Sequence, residues 1–338
     1  MKATCLINSH NYVEYVGEAI ASALNQTLPF EEIIVVDDGS TDGSVDRIRN
    51  EFRAVPEVKL LVKEQAGQLS CFHRGRETAR GDVVFFLDAD DRYRPEMLQR
   101  AADIYLRRPD VDFLSMGLRP FGGQHQSKRD EEPTRDRGLS VLGVIYHHLW
   151  IGNPTSCLSM RAELLNKVLP FPFEPEWQTR ADDVLIFGAS LVGGHKFHLA
   201  DPLVEYRIHA TNNFARRKLN PADKMGYALR VNRLIEWYVE RMGYDTSTLA
   251  HLLPREFRTL EEPTWPEFRR YARMSGRAGL QWSERLEQSV VMLVHLLKQR
   301  FGKLDAADAE VPSSTASSTE TTASTVKTTS PSEQSRAA

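Results

Sequence analysis

Three cysteines in 338 residues are too few, and the wrong parity, for a disulfide framework. Cys5, Cys71 and Cys157 lie far apart, so none stands in a metal-ligand spacing. A reducing compartment suits such a chain. Long hydrophobic runs are also missing. No stretch approaches the ~20 apolar residues that span a bilayer, and the opening MKATCLINSHNY lacks the apolar core of a signal peptide. The expectation is a cytoplasmic protein, or one held at the inner face of a membrane by something weaker than a span. Nor does one sign of charge dominate. The formal net charge of -3 gives no bulk attraction to nucleic acid or to an anionic membrane. What is present, 41% hydrophobic and 26% charged residues, is the composition of a globular protein that needs no disulfides to build a core.

The first ninety residues alternate strand and helix signals. Ile33–Val36 and Val83–Leu87 are unbroken apolar runs without polar alternation, the mark of strands buried on both faces. Helix-length segments separate them, at Tyr15–Leu24, Ser44–Phe52 and Leu69–Ala79. Such spacing implies βαβ units and an α/β fold with a mostly parallel open sheet flanked by helices. Gly122–Gly138 is highly charged and reads as an exposed loop, either a lid or a plain insertion. Helix signals dominate from Pro221 to about Lys303. Within them VVMLVHLL (Val290–Leu297) precedes Lys298, Arg300 and Lys303, so 283–303 fits a core or oligomer helix, or a helix lying on a membrane. Val311–Ala338 is rich in Ser and Thr and reads as disordered.

Two of the buried strands end in acids, as VVDDGSTD (Val35–Asp42) and as DADD (Asp88–Asp91). Ligands of open parallel sheets bind at the carboxyl ends of the strands. Carboxylates gathered there suit a hard cation, Mg²⁺ or Mn²⁺, together with substrate phosphates. Asp42 reads as a helix cap and Asp91 as a turn former, whereas Asp88 and Asp90 exceed what capping needs. A third acidic site is Asp182–Asp183, where one residue could cap a helix and the other act as a general base. A fourth segment, YRIH (Tyr206–His209), carries a histidine after a strand-like run.

Taken together, NSHN (Asn8–Asn11), VVDDGSTD, GQLSCFHRG (Gly67–Gly75), DADD, ADD (Ala181–Asp183) and YRIH resemble the motifs of a family 2 glycosyltransferase of the GT-A fold. The resemblance covers about residues 1 to 213 and implies a catalytic domain there, a C-terminal helical region over 214–304 and a tail over 305–338. It implies an inverting transfer of a sugar from a nucleotide-diphosphate donor, here a UDP-sugar, to a saccharide or lipid-linked saccharide acceptor. Asn8, His10, Asp38 and Asp88 would bind the nucleotide sugar. Asp90 and His209 would hold a divalent metal, and Asp183 would be the catalytic base. The chain departs from the family pattern at His10, His73, Asp182 and Ala189. It lacks the Gln-x-x-Arg-Trp of processive synthases, which favours transfer of a single sugar. The alternative is a non-catalytic nucleotide-sugar binding protein of the same fold. Peripheral membrane contact through 283–303 belongs to the same set of expectations, while the oligomeric state is left open.

Overall fold

The computed structural model describes residues 1–122, 132–209 and 220–309, with side chains to residue 301. Residues 123–131 of the expected charged loop and the Ser/Thr-rich tail lie outside the described residues. Contacts divide the chain into Met1–Arg300 and Phe301–Ala338.

The first half runs β1 (Ala3–Ser9), α1 (Val16–Leu24), β2 (Glu32–Asp38), α2 (Ser44–Phe52), β3 (Val58–Lys63), α3 (Gln68–Thr78), β4 (Val83–Asp88), β5 (Arg92–Tyr93) and α4 (Met97–Arg107). It continues through β6 (Phe113–Phe121), β7 (Arg135–Gly138), α5 (Val141–His147), β8 (Leu158–Arg161), α6 (Ala162–Val168), α7 (Asp182–Leu191) and β9 (Lys196–Arg207). Helices α8 (Pro221–Arg241), α9 (Thr246–Leu249), α10 (Leu253–Phe257), α11 (Trp265–Arg277) and α12 (Trp282–Ala309) complete it.

The nine strands among the described residues form one open sheet in the order β3-β2-β1-β4-β8-β6-β9-β5, with β7 also on β9. The pairs among β3, β2, β1 and β4 are parallel, as the apolar runs implied. Beyond β4 the sheet is mixed. β8 runs antiparallel to both β4 and β6, β9 is parallel to β6, and β5 and β7 are antiparallel to β9.

Alternation along the strands divides the core between the two faces. Leu6, Ile34, Val36 and Phe86 face the core that includes Phe72, Leu185 and Tyr238. Cys5, Ile7, Val35, Phe85 and Leu87 face the one that includes Ile20, Leu98 and Tyr105. A third cluster joins Leu142 of α5 to Phe257, Tyr271, Met274, Met292 and Leu296. One face of the VVMLVHLL helix thus serves a core, while Leu286, Val290 and Val294 on α12 are exposed.

The charged segment does not remain a loop to its end. Asp136 is buried in β7, where its carboxylate meets His195 Nε2 at 2.8 Å and accepts from Arg108. A charge can occupy a buried strand position when it is paired in this way, and local composition does not reveal partners 28 and 59 residues away.

Gly75 lets α3 lie directly on β1. A Cβ at this position would fall 2.2 Å from Leu6 Cδ1, and Leu6 is fully buried. Gly75→Val should therefore destabilise the protein by about 1–3 kcal/mol through overpacking. Urea unfolding checks this, and an unchanged midpoint would show that the α3–β1 contact yields more easily than close packing permits.

Candidate active site

Register places the acids. Asn8 pairs with Asp88 across β1 and β4, and Ser9 pairs with Asp37 across β1 and β2. The carboxyl ends of three adjacent parallel strands therefore deliver Asn8, Asp38 and Asp88 to one edge. They line a cleft of about 800 Å³ together with Ser9, His10, Tyr12, Gly67, Gln68, Asp90, Trp150, Thr155, Arg180, Asp182 and Tyr206.

At one part of this wall, Asp38 accepts from the Ala66 amide at 2.9 Å, from the Gly67 amide at 2.7 Å and from Lys63. Burial opposes its charge, but Lys63 and the two amides outweigh burial and hold the carboxyl below the usual range. Gly67 has φ of 97°, and a Cβ there would lie 2.3 Å from Gln178 Cα, so the loop closes only with glycine. His10 Nδ1 lies 2.8 Å from the Asp38 carbonyl, which can only accept, so Nδ1 carries the proton. Its Nε2 then accepts from Gln65 and Asn11, each at 3.1 Å. Asp37 and Asp42 are structural. Asp37 binds Ser40, and Asp42 binds Val13 N and Ser44 at the start of α2.

The three acids after β4 have separate surroundings. Asp91 is buried and accepts from Ser156 Oγ at 2.6 Å and from the Arg207 amide at 2.8 Å. Asp90 Oδ2 meets His209 Nε2 at 2.9 Å, and Arg207 Nε donates to the Asp90 carbonyl at 2.7 Å. Asp88 Oδ1 accepts from Gln68 Nε2 at 2.9 Å. Burial and then the Asp90 charge raise the Asp88 carboxyl to about 7, and the same two causes push Asp91 well above the usual range. One ligand oxygen from each of Asp88, Asp90 and Asp91 can be chosen so that all lie within 4.8 Å of one another. Oxygen donors this close fit a hard divalent cation, and the imidazole beside Asp90 adds a nitrogen donor.

The acidic pair at the start of α7 is split by the wall. Asp182 lines the cleft, whereas Asp183 is fully buried behind it. Asp183 accepts from Trp150 Nε1 at 2.8 Å and from Tyr227 OH at 3.0 Å, and Arg180 Nε lies 3.1 Å away. Burial, and then the charges of Asp183 and Asp88, raise Asp182 to about 8. Asp183 is also raised, because burial outweighs Arg180, Trp150 and Tyr227.

Of the residues singled out from the sequence, Asn8, His10, Asp38, Asp88 and Asp90 share the cleft, and His209 joins it through Asp90. Asp183 stands one layer back. His73, at a position where the family pattern has Asn, lies elsewhere. It accepts from the Phe171 amide at 3.1 Å and meets Glu174 at 2.7 Å, a structural bridge. Sequence reasoning does not single out Gln68, Trp150, Arg180 or Tyr227. Tyr227 reaches Asp183 from α8, 44 residues along the chain, and no local pattern signals that.

An α/β open sheet with acids at its carboxyl edge defines a class of site that binds its ligand in the crevice beyond the strand ends. The sequence model of glycosyl transferase family 2 matches residues 4–169. An uncharacterized glycosyltransferase of Nostoc sp., alr2836, is 34% identical over 255 residues, covering 72% of this chain and 77% of that protein. The putative glycosyltransferase EpsH of Bacillus subtilis is 26% identical over 260 residues, covering 73% and 74%. The crystal structure of S. aureus TarS 1-349 in complex with UDP-GlcNAc superposes with a TM-score of 0.55 at 18% identity, covering 89% and 92%, and agrees in fold. The chain belongs to glycosyl transferase family 2 and is a glycosyltransferase. Among the described residues no helix is long and apolar enough to cross a membrane.

Gln68 joins two parts of this site. Its Nε2 reaches Asp88 at 2.9 Å and Thr155 Oγ1 at 3.2 Å, while its Oε1 accepts from the Ala181 amide at 3.0 Å, just before α7. Gln68→Leu should cost about 1–3 kcal/mol by leaving the Ala181 amide unpaired. It should also weaken nucleotide-sugar binding. Thermal unfolding with and without donor checks both, and a donor-induced shift equal to wild type would remove Gln68 from the site.

Proposed function

We propose that this glycosyltransferase moves one sugar, with inversion, from a nucleotide-diphosphate donor to a hydroxyl of a saccharide or lipid-linked saccharide. The observation that carries the reading is the single cleft whose wall gathers Asn8, His10, Asp38, Asp88, Asp90 and Asp182. Asn8 Oδ1 and Ser9 Oγ are buried there without a partner among the described residues. The TarS structure holding UDP-GlcNAc supports a UDP-sugar as donor.

Asp90 and His209 would hold Mn²⁺ or Mg²⁺, with Asp88 beside them. When bound, the ion supplies Lewis acidity that offsets the charge of the leaving diphosphate. On the acceptor side, Asp182 presents its carboxylate to the cleft. It takes the proton of the acceptor hydroxyl as that oxygen bonds to the anomeric carbon and the bond to the diphosphate breaks on the opposite face. A base with its pKa raised to about 8 is matched to this task near neutral pH. Asp183, the position the family pattern assigns as base, has its oxygens engaged by Trp150, Tyr227 and Arg180. Here its charge adds to burial in raising Asp182, and it is the anchor that orients the start of α7. The exposed Leu286, Val290 and Val294 of α12 would bring the enzyme to a membrane surface that carries a lipid-linked acceptor.

Asp182→Asn should lower turnover by about 10²–10⁴-fold with donor affinity retained. Because a raised carboxyl pKa costs stability as pH climbs through it, the same variant should unfold at a higher temperature than wild type above pH 8. Asp183→Asn should shift the rising limb of the pH–rate profile to lower pH, since it removes the like charge beside Asp182. Full activity in Asp182→Asn with none in Asp183→Asn would return the base to Asp183. Separately, Asp90→Ala should abolish the Mn²⁺-dependent part of the thermal stabilisation by UDP-sugars. A donor shift indifferent to both the substitution and EDTA would exclude the metal assignment, and GDP- and dTDP-sugars in the same panel test the base.

A further inference from the structure

Helix α11 carries Arg270, Arg273 and Arg277, spaced by three and four residues and so on one face. Like charges at this spacing repel by a few tenths of a kcal/mol per pair. A cation in the last turn is favoured by the helix dipole, which accounts for Arg277 but not for the row. None of the three forms an ion pair among the described residues. The acids of this neighbourhood are already engaged. Glu256 accepts from the Leu142 and Gly143 amides and from Tyr271, and Glu267 from Arg135 and Thr264.

This face meets the end of α5. Arg277 Nη1 and His147 Nδ1 are 2.8 Å apart. A guanidinium cannot accept, so His147 Nδ1 accepts and its Nε2 bears the proton. Burial, and then the charges of Arg277, Arg270 and Arg273, hold His147 below the ordinary histidine pKa. His148, at φ of 49°, is held below the ordinary histidine pKa by the desolvation of its ring and then by Arg277. The guanidinium and imidazole N–H groups here are donors, and no carboxylate among the described residues pairs with the three arginines. From His147 the chain reaches Trp150, which lines the cleft and donates to Asp183 at 2.8 Å, within three residues, a span of about 10 Å at most.

We infer that Arg270, Arg273 and Arg277, with His147 and His148, form a binding site at the rim of the cleft for an anionic group of the acceptor, a phosphate or a carboxylate. Guanidinium groups match both anions with paired hydrogen bonds. The acceptor is then a charged saccharide, or a saccharide linked to lipid through phosphate, placed so that its hydroxyl lies near the acidic pair. This placement rests on the transferase reading above. Binding of the anion does not.

The test is a titration of the full chain with inorganic phosphate and pyrophosphate, each against KCl of equal ionic strength, reading the His147 imidazole by NMR. Phosphate should raise the His147 pKa, because an anion stabilises the imidazolium, while KCl should not reproduce the change. In Arg273→Gln and Arg277→Gln the phosphate Kd should weaken about 10-fold or more, and Arg277→Lys should recover part of it. Thermal stabilisation by UDP-sugar should be unchanged in all three, which separates failure of this site from failure of the donor site. No response of His147 to phosphate, or the same response in the glutamine variants, would overturn the proposal. Sedimentation with phosphatidylglycerol against phosphatidylcholine vesicles then distinguishes the sources. Arg-dependent capture by the anionic vesicles alone identifies a lipid headgroup, and phosphate binding without capture identifies a soluble anionic acceptor.

Discussion

The Asp91 carboxylate is the contact on which the site depends. It follows β4, a parallel strand whose neighbours β1 and β2 bring Asn8 and Asp38 to the same edge. One of its oxygens holds Ser156 ahead of β8, and the other holds the Arg207 amide at the end of β9. Ser156 in turn accepts from the Asp88 amide. These bonds fasten two later segments of chain to the tip of β4. Arg207 completes the join through the Asp90 carbonyl, and His209 arrives beside Asp90 as a consequence. A buried acid that accepts from two separate segments can be replaced only with loss of both, so its cost in desolvation is balanced by geometry that nothing nearby duplicates.

A second constraint acts on the opposite wall. Helix α7 opens with two adjacent carboxylates, and the fold treats them differently. Asp183 is enclosed by an indole, a phenol and a guanidinium from three parts of the chain. Asp182 is left facing the cleft beside that charge. Arg180, at φ of 62°, turns the backbone so that its side chain can both lie over Tyr227 and reach Asp183. The C-terminal helical region is therefore part of the site, because α8 brings Tyr227 into the shell of the acidic pair. Two raised carboxylates lining one cleft, Asp88 and Asp182, are a burden on the free protein, and such burdens gather where binding and proton transfer require them.

The two halves of the sheet differ in how far their residues declare them. Val35, Val36, Phe85 and Phe86 belong to unbroken apolar runs, and such runs by themselves mark parallel strands covered on both faces. β7 carries no such mark, since Arg135–Gly138 is charged throughout its first three residues and is stabilised by Arg108 and His195 from elsewhere. The mixed pairing beyond β4 is equally hidden, because strand direction depends on how the connections cross rather than on the residues in the strand.

Within the site, the residues of the sheet edge were legible from local signals. Asn8, Asp38, Asp88 and Asp90 sit at the ends of local strand signals, and in a parallel sheet strand ends share one edge. Only the tertiary structure decided which member of Asp182–Asp183 meets the cleft. It alone showed that Gln68 ties Asp88 to the start of α7, that Trp150 and Tyr227 enclose Asp183, and that Arg277 of α11 reaches His147. Those relations join residues 20 to 130 positions apart. Periodicity and motif spacing report only on neighbours along the chain, whereas partners at such distances are chosen by packing.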